Sequence, residues 1–170
     1  MIILKLIQSI FNTLHSEGTP GQVAAGMALG AFLGLTPLAS LHNVFIFALI
    51  CFFNVSFGGA MLGWAVFTPL GFALDPVFDY IGHQLLFAPG LTGLWTALYN
   101  APVMPLTNFN NTVVLGSFVF TTIFFLPLFF FLRWGVDRYR DTAGAWLKRT
   151  KFYHAITATK LINVYKLFFR

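Results

Sequence analysis

Charge is the scarcest property of this sequence. Lys and Arg number 10 and Asp and Glu 5 in 170 residues, so 9% of the side chains are charged, where a soluble domain carries about 25%. Cysteine is nearly absent as well: the lone Cys51 excludes a disulfide framework and a zinc ribbon. Apolar groups fill the space instead. Hydrophobic residues make up 58% of the chain and 22 are Phe, more than a core of this size can bury. A water-soluble globule and a disordered chain are both excluded, and the composition is that of an integral membrane protein.

Between Gly18 and Leu132 the only side chains charged at neutral pH are Asp75 and Asp79. Lys5 precedes this stretch, and Arg133, Arg138, Arg140, Lys148, Arg149, Lys151, Lys160, Lys166 and Arg170 follow it. Lys and Arg beside membrane segments stay cytoplasmic, so both termini are expected there, with an even number of crossings. Basic clusters next to an apolar span meet anionic headgroups. Phospholipids, not nucleic acid, are therefore the expected partner.

The expected fold is all-α and polytopic. It divides into an interfacial amphipathic helix over 1–16, a membrane domain over 18–135 and a basic amphipathic cytoplasmic tail over 136–170. In the first, Ile3, Leu6, Ile7, Ile10, Phe11 and Leu14 share one face. Gly18-Thr19-Pro20-Gly21 breaks the chain. The apolar run from Gln22 to Leu35 is too short to cross a bilayer, which takes about 20 residues. Thr36-Pro37 interrupts it, and Leu38 to Phe53 continues. This pattern reads as a broken or re-entrant hairpin over 22–53, with a single kinked helix as the rival. Its bend has to be sheltered, because free backbone polar groups are costly in lipid. Crossings are expected over 57–74 and 113–132. The mixed stretch from Asp75 to Asn111, punctuated by Pro89, Pro102 and Pro105, is expected on the periplasmic side, partly embedded.

Several residues invite a functional reading. Gly26, Gly30 and Gly34 recur at every fourth position, and Gly59 and Gly63 repeat the device; such a face lets another backbone settle closely. Packing within the chain is the plain reading, and contact with a second protein chain, a homo-oligomer included, or with lipid is the functional one. Thr36-Pro37-Leu38 and Thr68-Pro69-Leu70 interrupt two glycine-rich segments, as in transporters with an inverted repeat; coincidence of common helix breakers is the alternative. His42 and Asn43 are placed to bond carbonyls freed at the Pro37 bend. Asp75, Asp79 and His83 fall at i, i+4 and i+8, so a helix beginning at Pro76 would align them for proton or ion handling. The same spacing makes Asp75 a good N-cap and Asp79 a partner for the positive helix end. Cys51, among apolar neighbours, is expected to be a buried, unreactive thiol. No nucleophile elbow or phosphate-cradling loop is present, so neither an enzyme nor a cofactor is expected.

The run Gly-Thr-Pro-Gly-Gln-Val-Ala-Ala-Gly-Met-Ala-Leu-Gly-Ala-Phe-Leu-Gly-Leu-Thr-Pro over 18–37, then Leu41-His42-Asn43, Phe53-Asn54 and Gly63 to Leu70, resembles a bacterial inner-membrane family called domain of unknown function 2062. The similarity covers residues 10–135. Asn54 matches the family pattern, whereas Thr68 stands where Asn is usual. The chain is similar to a small stand-alone branch of that family, often encoded beside a large periplasmic protein of the AsmA-like, lipid-transfer type. The resemblance implies a non-enzymatic accessory that anchors such a bridge and assists phospholipid movement into it. Gly26, Gly30, Gly34, Pro37, His42, Asn43, Asn54, Thr68 and Pro69 are the contact candidates. The rival expectation is a small-solute or ion transporter with its site at the paired Thr-Pro-Leu breaks, using Asp75, Asp79 and His83.

Overall fold

The fold comes from a computed structural model that describes residues 18–149. The amphipathic helix expected over 1–16 and most of the basic tail lie outside the described residues. Among the described residues every regular element is helical: α1 (Pro20–Leu35), α2 (Leu41–Phe52), α3 (Phe57–Leu86), α4 (Thr92–Tyr99) and α5 (Thr112–Arg149). Short 3-10 turns occupy Pro89–Leu91 and Met104–Thr107.

Thr19 starts α1 through a capping box. Its hydroxyl accepts the Gln22 amide, and the Gln22 side chain accepts the Thr19 amide at 2.7 Å. Pro20 occupies the first turn, where a missing N–H costs nothing. The helix stops at Leu35 because Thr36, preceding Pro37, is forced into an extended conformation. At 16 residues α1 is about 24 Å long. The chain then turns back as α2, and a second turn leads into α3. There Ser56 caps the new helix by accepting the Gly59 amide at 2.8 Å. The Ser56 amide itself donates to Gln22 O at 3.1 Å. That bond ties the start of α3 to the first turn of α1, so α1 and α3 run parallel with α2 as the return stroke.

The structure extends α3 well past the expected end at 74. It runs unbroken through Pro69 and Pro76 to Leu86, so Asp75 is a mid-helix residue and not an N-cap. Each proline removes one backbone bond, but a side-chain bond within the helix and packing against α5 hold it. The Thr68 hydroxyl donates to Trp64 O at 2.7 Å, and the far half of α3 is clamped to α5 at Phe78 and Gly82. Similarly α5 continues through Pro127.

Among the described residues two helices are long and apolar enough to cross a membrane: Phe57–Leu86 and the Thr112–Thr142 stretch of α5. Only 22% and 28% of their most apolar windows are buried, so most of this surface points outward, with Phe72, Ile123, Leu126 and Phe130 all exposed. The inward positions form a small core of Phe32, Leu33, Ile46, Ile50 and Ala60, with Phe125 packed against it. Arg140 donates to Gly18 O at 3.0 Å, which places the start of α1 and the basic part of α5 at the same end of the bundle. The uncharged connection over 87–111 lies at the other end.

Candidate functional site

Small residues decide how closely these helices approach. A Cβ on Gly26 would overlap Ser56 O, one on Gly30 would overlap Ala60 O, and one on Gly34 would lie 2.8 Å from Thr68 N. From the other side, a Cβ on Gly63 would overlap Met27 O and one on Gly59 would lie 2.8 Å from Val23 O. The two backbones are in direct contact along the seam. The expectation that Gly26, Gly30 and Gly34 offer a contact face to a second chain or to lipid is therefore corrected: α3 of the same chain already covers that face. Sequence reasoning missed a second seam, in which Gly82 meets Thr112 and Gly116 meets Phe78. Its signal was present as small residues on each helix, but pairing them needed the antiparallel register of α3 and α5.

The parallel seam also removes an inverted relation between the two Thr-Pro-Leu breaks. Helices in the same direction are not related by inverted topology. The two breaks also differ in kind, since Thr36-Pro37 ends a helix and Thr68-Pro69 lies within one. They sit side by side through Gly34 and Thr68, with Pro69 exposed on the outer side.

The bend at Pro37 is a closed polar knot. Thr36 and Asn43 are each 4% exposed and Ser40 5%. The Thr36 hydroxyl lies 2.8 Å from both Phe32 O and Asn43 Oδ1. Asn43 Nδ2 donates to Pro37 O at 2.8 Å, and Ser40 Oγ donates to the same carbonyl at 2.8 Å. With that hydroxyl proton committed, His42 donates from Nε2 to Ser40 Oγ across 3.0 Å. The imidazole also packs on Phe118, ring centroids 5.1 Å apart. Asn43 thus does what its position suggested, serving a carbonyl at the break, while His42 acts one step removed. Asn108, which sequence reasoning overlooked, covers the bend from outside: its backbone is left-handed and its Nδ2 donates to Ala39 O at 3.2 Å. Asn54 is exposed in the α2–α3 turn.

Asp75, Asp79 and His83 share a face of α3 but do not converge. Asp75 is half-buried, and Asp79 and His83 are exposed. Among the described residues no three His, Cys, Asp or Glu are grouped to hold a metal ion. Asp79 accepts a hydrogen bond from the Thr112 hydroxyl, fastening α3 to the first turn of α5, where the amide ends favour negative charge. Asp79→Ala is expected to lower stability by about 1 kcal/mol, read as a reduced Tm in detergent. His83 stacks on Phe87 with centroids 4.5 Å apart. Cys51 departs from expectation: it is exposed on the outer face of α2, because the inward stripe of that short helix is Asn43, Ile46 and Ile50.

One recess stands out. Where α3 and α5 diverge, Leu35 at the end of α1 floors a crevice of about 430 Å³. Phe67, Leu70 and Leu74 line one wall, and Phe120, Phe124 and Phe131 the other. Every lining residue is apolar, so the crevice offers no ligand to an ion or a hydrophilic solute. Periodicity alone did not reveal it, since the same Phe and Leu positions read equally well as lipid-facing.

The residues that form the seams, the bend and the crevice all fall within the span that matches a known family. A profile described as "Uncharacterized protein conserved in bacteria (DUF2062)" matches residues 5–144. A protein of Treponema pallidum (strain Nichols), described as "Uncharacterized protein", is 30% identical over 138 residues, covering 81% of this chain and 85% of that one. No solved structure matches. By the extent of that profile match, the chain belongs to the DUF2062 family of bacterial proteins.

Proposed function

We propose that this chain is a non-enzymatic, multi-pass inner-membrane protein that anchors an AsmA-like periplasmic lipid-transfer bridge and assists phospholipid movement into it. The observation that carries the reading is the wholly apolar crevice between α3 and α5, set in a bundle whose outer surface is itself apolar. A solute or ion pathway needs polar ligands at such a recess; an acyl chain needs none. The bend supports the same reading. The Phe32 carbonyl finds a partner in Thr36 and the Pro37 carbonyl in Ser40 and Asn43, which lowers the cost of placing the hairpin of α1 and α2 in hydrocarbon. A hairpin of about 24 Å, shorter than the ~30 Å core, favours local thinning of the bilayer.

With α3 and α5 as two crossings, the basic end that joins Gly18 to Arg140 faces the cytoplasm by its charge. The uncharged connection over 87–111, with Leu94, Tyr99 and Leu106 exposed, then faces the periplasm, where a bridge would meet it. Reporter fusions at the two termini are expected to read the same compartment. Affinity purification from native membranes is expected to recover a large AsmA-like protein together with phospholipid. Opposite compartments, or recovery of neither partner nor lipid, would overturn the reading.

A further inference from the structure

The crevice is blind at one end and open at the other. At its closed end Phe78 is fully buried, its ring 5.3 Å from Phe120, and just beyond it the Gly82–Gly116 seam brings the two backbones together. At its open end the same face of α5 continues from Phe131 to Trp134, Gly135 and Arg138, at i+3, i+4 and i+7. Among the described residues nothing lies within 4 Å of where a Cβ on Gly135 would stand, so no described residue covers this face of α5 at Gly135. The crevice therefore opens toward the basic end of the bundle.

Length and charge then select an occupant. Along α5 the crevice runs from Phe120 to Phe131, about 16 Å at 1.5 Å per residue. One leaflet of hydrocarbon is about 15 Å deep, half of a ~30 Å core. Of the described cations nearby, Arg133 lies on the Leu126 and Phe130 face and pairs with Asp137 at 4.0 Å, and Arg140 is bonded to Gly18 O. Arg138 is exposed and stands on the crevice face.

We propose that this crevice holds one acyl chain of a phospholipid drawn from the cytoplasmic leaflet, with the lipid phosphate bound by Arg138. The inference rests on the lipid-handling reading above and specifies its site. Guanidinium and phosphate form charge-assisted bonds, and Trp134 sits between them and the hydrocarbon, where an indole is at home.

The test uses the full chain in phosphatidylcholine nanodiscs with trace phosphatidylglycerol carrying a diazirine at the end of one acyl chain. After irradiation, peptide mapping locates the adducts. Adducts are expected on residues 67–74 and 120–131 of the crevice walls in excess over Ile123, Leu126 and Phe130 on the outer face. Leu74→Trp, which fills the crevice, is expected to abolish that excess. Arg138→Gln, on the surface and safe for folding, is expected to lower it about five-fold, as expected for one basic group at a headgroup surface. A diacylglycerol with the same labelled tail and no phosphate is expected to label at that lower level and to be indifferent to Arg138→Gln.

Labelling spread evenly around α5, or unchanged by both substitutions, overturns the site. If Leu74→Trp removes the labelling while phospholipid still reaches the bridge at the original rate, the site stands and the transfer role falls. If transfer proceeds with no preferential labelling, the site falls and the transfer role stands.

Discussion

Replacing Gly30 with alanine is expected to destabilise the protein by about 3 kcal/mol, at the upper end for overpacking a close interface. The added methyl has no room, because the Ala60 carbonyl and the Trp64 amide of α3 already occupy its position. Both obstacles are backbone, so no rotamer change relieves the overlap and α1 must slide away from α3. Separation then spreads along the seam, since Gly26, Gly34 and Gly63 make the same kind of approach. Thermal or SDS-induced unfolding in mild detergent measures the loss. Gly93→Ala is the control: it sits in α4 with no described residue within 4 Å of an added Cβ, and alanine there is expected to be neutral or to gain up to about 1 kcal/mol through helix propensity. Equal stability of Gly30→Ala and the original protein would refute the seam. A loss of partner binding without loss of stability would return the glycine face to intermolecular contact.

The second large effect is at the bend. Asn43→Leu keeps the volume and removes two hydrogen bonds, one from Thr36 and one to Pro37 O. The expected cost is about 2 kcal/mol, close to the sum of two net bonds. It is not larger because each orphan keeps a second partner: the Thr36 hydroxyl still reaches Phe32 O, and Pro37 O still accepts from Ser40. Ser40→Ala alone is expected to cost about 1 kcal/mol. The double substitution is expected to cost about 1 kcal/mol more than the sum, because it strips Pro37 O of both donors in a buried site. The same unfolding assay decides. Strict additivity, or an unchanged single variant, would show that the knot does not hold the bend.

The seam and the bend set up the crevice. The seam holds α1 against α3 up to Gly71, next to Gly34 O, and the bend ends α1 there, so that Leu35 is the last side chain of that helix at the level where α3 and α5 part. Loosening either feature is therefore expected to change lipid contact as well as stability.

An apolar outer surface, helices as the elements, a stop at Thr36-Pro37 and a polar cluster serving it were all legible in the residues. These properties follow from composition, period and the missing proline N–H, which act locally. Cys51 read as buried and Asp75 as a cap for equally local reasons, and both readings failed. Which side of a short helix faces inward, and whether a proline ends a helix or merely crosses it, depends on what packs alongside. The destination of the glycine face was undecided for the same reason: small residues at every fourth position permit a close approach without saying to which backbone. Only the tertiary arrangement matched Gly30 to Ala60 and Gly82 to Thr112, and only the divergence of α3 from α5 opened a recess among Phe and Leu side chains that one-dimensional patterning cannot tell from an ordinary lipid-facing surface.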